Sequence, residues 1–240
     1  MTEDASTSLP DDLDPSERAA NRRAAARLTA LLGAAFAVLL LLGAWLLTSE
    51  PGPRSSDEVL RAFYEGGDVR RVLLGGLYVV PFSAVAFLWF VAALRQWTER
   101  AGRPLDRLLS TVQLLSGVAF LTLEFAATGA ATVVAAAVTL TDTPLDLDAA
   151  RNFPLYGRAL FIVFGMRVAS IFVLSTARLG HGAGLFPRWF VGISVAVAVL
   201  LLLVASLDTR LIAVFPLWVL LLSGVVWFGV DDPADDPPRP

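Results

Sequence analysis

Cysteine is absent from all 240 residues. That excludes disulfides, thiolate metal sites and a cysteine nucleophile. A single histidine, His181, excludes metal centres built from clustered histidines. Lysine is absent as well, since all 19 basic residues are arginine. A phosphate-binding loop of the Walker type therefore lacks its lysine. The chain has no glycine-rich dinucleotide fingerprint, no HExxH and no pair of intramembrane aspartates. These absences leave no expected cofactor, no expected metal and no expected nucleic-acid partner. Charge is also scarce. Only 17% of the residues are charged, against about 25% in an ordinary soluble domain.

The deficit is concentrated in six apolar runs, each long enough to bear on about 30 Å of hydrocarbon. They lie at about 28–48, 72–94, 109–141, 155–177, 189–207 and 211–230. The expected fold is all-α, a polytopic six-helix transmembrane bundle occupying 14–230. The first run reads as an uncleaved anchor, because a long polar segment precedes it and its apolar part exceeds that of a signal peptide. Asp14-Pro15-Ser16-Glu17 supplies a helix start before it. Pro81 is expected to kink the second span, with Ser83 at hand for the freed backbone groups. The third run is too long for one upright crossing and too short for two, so a tilted or protruding helix is expected. Pro216 is a second interior proline, in the last span.

Arginine placement orients the bundle. With the N-terminus in the cytoplasm, eleven arginines (Arg18, Arg22, Arg23, Arg27, Arg95, Arg100, Arg103, Arg107, Arg178, Arg188, Arg239) fall inside. Seven (Arg54, Arg61, Arg70, Arg71, Arg151, Arg158, Arg210) fall outside. Both ends are thus placed in the cytoplasm of a cell with this protein in its plasma membrane. Trp97 and Trp189 mark the inner surface and Trp45 the outer, as aromatic belts do.

The tails at 1–13 and 231–240 are acidic and, at the C-terminal end, proline-rich, a composition that favours disorder. In the first outer loop, Ser55-Ser56-Asp57-Glu58 resembles a helix cap. Val59, Leu60, Phe63 and Tyr64 follow at helical spacing. A short interfacial helix ending near Gly66-Gly67 is expected there. In the second outer loop, Asp142-Thr143-Pro144 reads as another helix start. Asp146 and Asp148 lack the spacing of a calcium loop and read as a solvated turn.

Two charges lie deep inside the runs, Glu124 in LTLEFAATGAAT and Arg167 in VFGMRVAS. Each is expensive in hydrocarbon, by about 3 kcal/mol on insertion scales, unless paired or hydrated. Their depths match, and their spans are consecutive and antiparallel, so the two form a candidate intramembrane polar pair. Such a pair either locks two helices or lines a proton or substrate path. Thr128 is one turn from Glu124 and shares its face. Ala127, Ala131 and Ala135, with Gly129 nearby, form a close-packing stripe. No catalytic residue emerges. Ser194 lacks a rhomboid-type glycine after it, and His181 is placed in the loop between spans four and five. Ser170 is the serine nearest Arg167 on its C-terminal side.

The segments GLYVVPFSAVAFLWFVAALR, RNFPLYGRALFIVFGMRVASIFVLSTARL and FPRWFVGISVAVAVLLL resemble a group of uncharacterised bacterial integral membrane proteins, chiefly actinobacterial. The resemblance covers about 25–230. It implies a six-helix membrane protein of a bacterial plasma membrane and carries over no activity or site residue. The leading expectation is a non-enzymatic protein embedded in the lipid bilayer, structural or accessory to a membrane partner or a second copy of itself. The alternative is a small transporter or permease-like protein using Glu124 and Arg167. A cavity reaching Glu124 favours transport, and a dry Glu124–Arg167 contact favours structure.

Overall fold

The computed structural model describes residues 15–99, 107–203 and 206–229. The two tails, Asp14, Arg100 and Arg103 lie outside the described residues. Every regular element among the described residues is helical. Helix α1 spans Pro15–Leu47 and opens on its proline, whose missing N–H has no intrahelical acceptor at that position. Helix α2 spans Asp57–Glu65. The Ser56 hydroxyl caps it by accepting from the Val59 N–H, and Gly66 ends it. The short helix expected in this loop is therefore present. Its apolar face, Leu60, Phe63 and Tyr64, packs against Val72, Val134 and Ala150 in a small second core.

Helix α3 (Val69–Leu74) continues through a π-helical turn, Gly75–Val79, into α4 (Val80–Glu99). Pro81 cannot donate to the carbonyl one turn back, and its ring crowds that carbonyl. The preceding turn widens, and the Val80 N–H reaches the Gly75 carbonyl five residues back. Ser83 does not serve the backbone as expected; its hydroxyl points to Glu124.

Helix α5 (Arg107–Leu140) is one unbroken element of 34 residues, about 50 Å long. It therefore protrudes beyond a single bilayer crossing. Helix α6 (Leu147–Ala159), a π-helical segment (Leu160–Gly165) and α7 (Met166–Gly182) form a second continuous rod. This rod begins well before the 155 boundary expected from the run. Its cap is Asp146, whose carboxylate accepts from the Asp148 and Ala149 N–H groups. Asp142, expected at a helix start, instead takes a positive φ of 51° in the preceding turn.

Helix α8 spans Arg188–Leu203. A 3-10 turn (Thr209–Ala213) then leads into α9 (Val214–Gly229). Pro216 falls in the first turn of α9 rather than its interior. Among the described residues, five helical stretches are long and apolar enough to cross a membrane: Arg23–Leu47, Val69–Thr98, Arg107–Leu140, Leu147–Gly182 and Thr209–Gly229. In the fifth apolar run, expected at 189–207, the described helix is α8, of 16 residues, about 24 Å long.

The bundle is aromatic inside and apolar outside. Phe36, Phe87, Phe120, Phe172 and Phe215 are fully buried and in ring contact across α1, α4, α5, α7 and α9. Phe82, Trp89, Leu115 and Phe125 are exposed on the rim. Water would penalise that rim, whereas hydrocarbon does not. The chain is an all-helical, multi-pass membrane protein. Trp45 and Trp189 are exposed, while Trp97 is buried beside Phe186.

Candidate functional site

The small-residue stripe on α5 brings α6 close. A Cβ on Gly157 would lie 2.4 Å from the Ala127 carbonyl oxygen and 3.1 Å from the Ala131 Cβ. The stripe thus serves packing within the bundle, and Gly129 faces away from it, exposed. Close approach of α6 places its cavity-facing residues directly beside the polar face of α5.

Glu124 is fully buried on that face. The Ser83 hydroxyl donates to its Oε1 at 2.8 Å, and its Oε2 has no hydrogen-bond partner. A buried carboxyl oxygen left unmatched costs about 1–3 kcal/mol, more if charged. The oxygen therefore needs a proton, a water or a cationic group. Glu124 lines a cavity walled by Leu40 and Ala44 of α1, Val80 of α4, Thr128 and Ala131 of α5 and Gly157 and Arg158 of α6. Phe161, Thr209 and Ile212 complete the wall. Its empty space, mouth included, is about 600 Å³.

The cavity opens at the end of the bundle that carries α2. Thr48 and Glu50 stand at that mouth. The other end is closed by rings. The Phe161 ring lies tilted, 5.8 Å from Phe120, which lies one turn below Glu124 and meets Phe36, Phe87 and Phe215.

Glu50 is the second acid of the cavity. Burial pushes its carboxyl up to about 7, against the pull of the Tyr64 hydroxyl and the Arg158 charge. Tyr64 of α2 donates to Glu50 Oε1 at 2.5 Å. Burial, then the Glu50 charge and that hydrogen bond, push the Tyr64 phenol up, so it stays a donor. Arg158 is half-buried and makes no contact-distance ion pair with any described residue. Nearby, Arg151 grips the start of α2 through the Asp57 carboxylate at 2.5 Å and the Ser55 carbonyl at 3.1 Å.

Arg167 does not meet Glu124. Its guanidinium donates to the Val163 carbonyl one turn back on its own helix. The depths do match: Gln113 Nε2 donates to Thr176 Oγ1 at 2.8 Å, which fixes the antiparallel register of α5 on α7. In that register Arg167 lies level with Thr122, within one turn of Glu124. The faces do not match. Glu124 is eleven residues from Gln113, about three full turns, so both face the same way. Arg167 is nine residues from Thr176, about two and a half turns, so it points to the opposite side. The residues that share the cavity with Glu124 are Arg158 and Glu50.

Arg158 was visible in the sequence as an interruption of the fourth run. The neighbouring Gly157 marks which face approaches α5, and the π-helical segment between the two arginines resets the facing of Arg158 relative to Arg167. Glu50 and Tyr64 had no such signal. Thr128, expected on the face of Glu124, does line the cavity.

Ser194 accepts from the Trp218 indole N–H at 2.9 Å and donates to the Phe190 carbonyl, so both its roles are structural. Ser170 donates to the Arg167 carbonyl. His181, expected in a loop, lies in the last turn of α7 and is exposed. No known protein family, curated protein or solved structure matches the chain.

Proposed function

We propose that this protein binds a small cation or protonatable amine from the outer face, in the cavity that ends at Glu124, and is permease-like. The observation that carries the reading is the fully buried, unpartnered Glu124 Oε2, on a side chain that lines the cavity. A carboxylate in such a place attracts an ammonium more strongly than one in water. The apolar wall suits the hydrocarbon part of an amine.

The reading takes the bundle as six spans, with α8 the short fifth. An even count returns α9 to the side on which α1 begins, the cytoplasmic side by the arginine count. The α2 end and the cavity mouth then face outward, with α2 lying at the outer membrane surface. Passage of a solute would require the phenylalanine floor to part, as rocking of one half of a bundle achieves in alternating access. That same floor favours a second reading. The protein would then be a structural or accessory component, and Glu124 and Ser83 a helix clamp.

The test is binding of hexylammonium to the purified protein, followed as a rise in unfolding temperature. The wild type should be stabilised saturably. Glu124→Gln, which fills the same space and accepts from Ser83, should keep its size-exclusion profile and lose most of the response. Equal responses in the two proteins would sink the cation reading and leave the clamp. Flux of the same amine into proteoliposomes separates a permease from a closed receptor.

A further inference from the structure

A bare cation entering this cavity meets Arg158 before it reaches Glu124. Gly157 packs at the level between Ala127 and Ala131. Arg158 therefore stands about four residues above Glu124, roughly 6 Å along the axis. Side chains on a helix lean toward its N-terminus, so Arg158 leans to the mouth and Glu124 to the closed end. The cavity consequently presents a positive group on its wall and a negative group at its floor, separated by apolar surface.

We infer that the ligand is a zwitterion, an ammonium and a carboxylate or phosphate on one apolar spacer, with its ammonium on Glu124 and its anion on Arg158. This deepens the cation reading and rests on it. The anion turns the Arg158 charge from a barrier into a contact. Charge-assisted bonds to guanidinium favour carboxylate and phosphate alike, so a free amino acid and an ethanolamine phospholipid headgroup share the required chemistry.

Glu50 regulates the same contact. The titratable and charged groups that face it are Tyr64 from α2 and Arg158 from α6. Ionised, Glu50 competes with the ligand's anion for Arg158. Protonated, it no longer draws on the Arg158 charge and still has Tyr64 beside it. Its carboxyl sits at about 7, so the Glu50-dependent part of ligand binding should strengthen as the outer pH falls through neutrality.

The experiment measures shifts in unfolding temperature of the intact protein in detergent with three matched probes: ε-aminocaproate, hexylammonium and hexanoate. The first is zwitterionic throughout the range used. It should stabilise the wild type most, and Arg158→Gln should reduce its effect to that of hexylammonium. Arg158→Lys, which keeps the charge, should retain most of the response and stands in if the glutamine variant misfolds. The ε-aminocaproate shift of Glu50→Gln should exceed that of the wild type one unit above the Glu50 value of about 7, and the gap should close one unit below it.

Nanodiscs separate the two sources. If the ligand is a headgroup, phosphatidylethanolamine stabilises the wild type more than Arg158→Gln and blunts the ε-aminocaproate shift. Phosphatidylcholine, whose nitrogen has no N–H to donate, does neither. If the ligand is a free solute, the ε-aminocaproate shift is the same in both lipids. Equal shifts with ε-aminocaproate and hexylammonium, or no loss in Arg158→Gln, would overturn the zwitterion and leave the cation reading standing. Absence of any Glu124-dependent shift with either amine would overturn both.

Discussion

Glu124 and Glu50 face one cavity in unlike states of satisfaction. Ser83 gives Glu124 one hydrogen bond and leaves Oε2 open, whereas Glu50 has Tyr64 at 2.5 Å and Arg158 nearby. The difference follows from place. Glu124 lies on a long helix deep among aromatic rings, while Glu50 lies just past the end of α1, where α2 folds back over it. Glu50 has a consequence for stability. Its carboxyl sits at about 7 in the folded protein against an ordinary 4.5, so the folded state holds this proton where the unfolded chain has released it. The stabilisation is complete below pH 4.5 and is lost as pH rises through about 7. Unfolding temperature measured across that window should fall with rising pH in the wild type and fall less in Glu50→Gln. Parallel curves for the two proteins would place the proton elsewhere.

At the scale of elements, the cavity exists because helices touch closely at some points and part at others. Gly157 lets α6 lie on the alanine stripe of α5. Gly76, in the π-helical turn, does the same for the second span, since a Cβ there would stand 2.0 Å from Thr132 Cγ2. Val80, just past that turn, and Phe161, inside the other π-helical segment, both line the cavity. Wider turns shift the side chains after them, and such turns are frequent at functional sites. Gly76→Ala should destabilise by about 1–3 kcal/mol, the usual cost of overpacking. Combining it with Thr132→Ala removes the clashing methyl and should recover most of the folded yield in detergent. If the double variant is no better than the single, the contact between α5 and the π-helical turn does not limit the packing.

At the scale of the whole molecule, an aromatic floor and a wetter mouth give the bundle two unlike ends. Buried phenylalanines of this kind usually cost about 3–5 kcal/mol on truncation to alanine, so the floor is also the main mechanical element of the fold. Which end faces outward is open to a direct measurement, because the chain contains no cysteine to interfere. Gly52→Cys lies in the loop at the α2 end, and His181→Cys at the opposite end; both positions are exposed. A membrane-impermeant maleimide added to intact cells should label the first and spare the second, with both labelled after lysis. The reverse pattern would invert the bundle and turn the cavity mouth to the cytoplasm.

The sequence by itself determined the membrane and most of the helices. Apolar runs between sparse charges leave a chain no other way to satisfy its backbone in hydrocarbon. Ser56 and the glycine after Glu65 bounded α2 just as plainly, since caps and stops are local chemistry. The depth of Glu124 was equally legible, as depth is a count of residues along a helix. Partnership was decided by the tertiary structure. Arg167 matches Glu124 in depth and points the other way, and that angle follows from the register that Gln113 and Thr176 set between two helices. Glu50 and Arg158 reach the cavity because α2 folds back and α6 packs closely, and neither event is written in a hydropathy run. Local composition sets where a residue lies along its helix, and packing between helices sets what it faces.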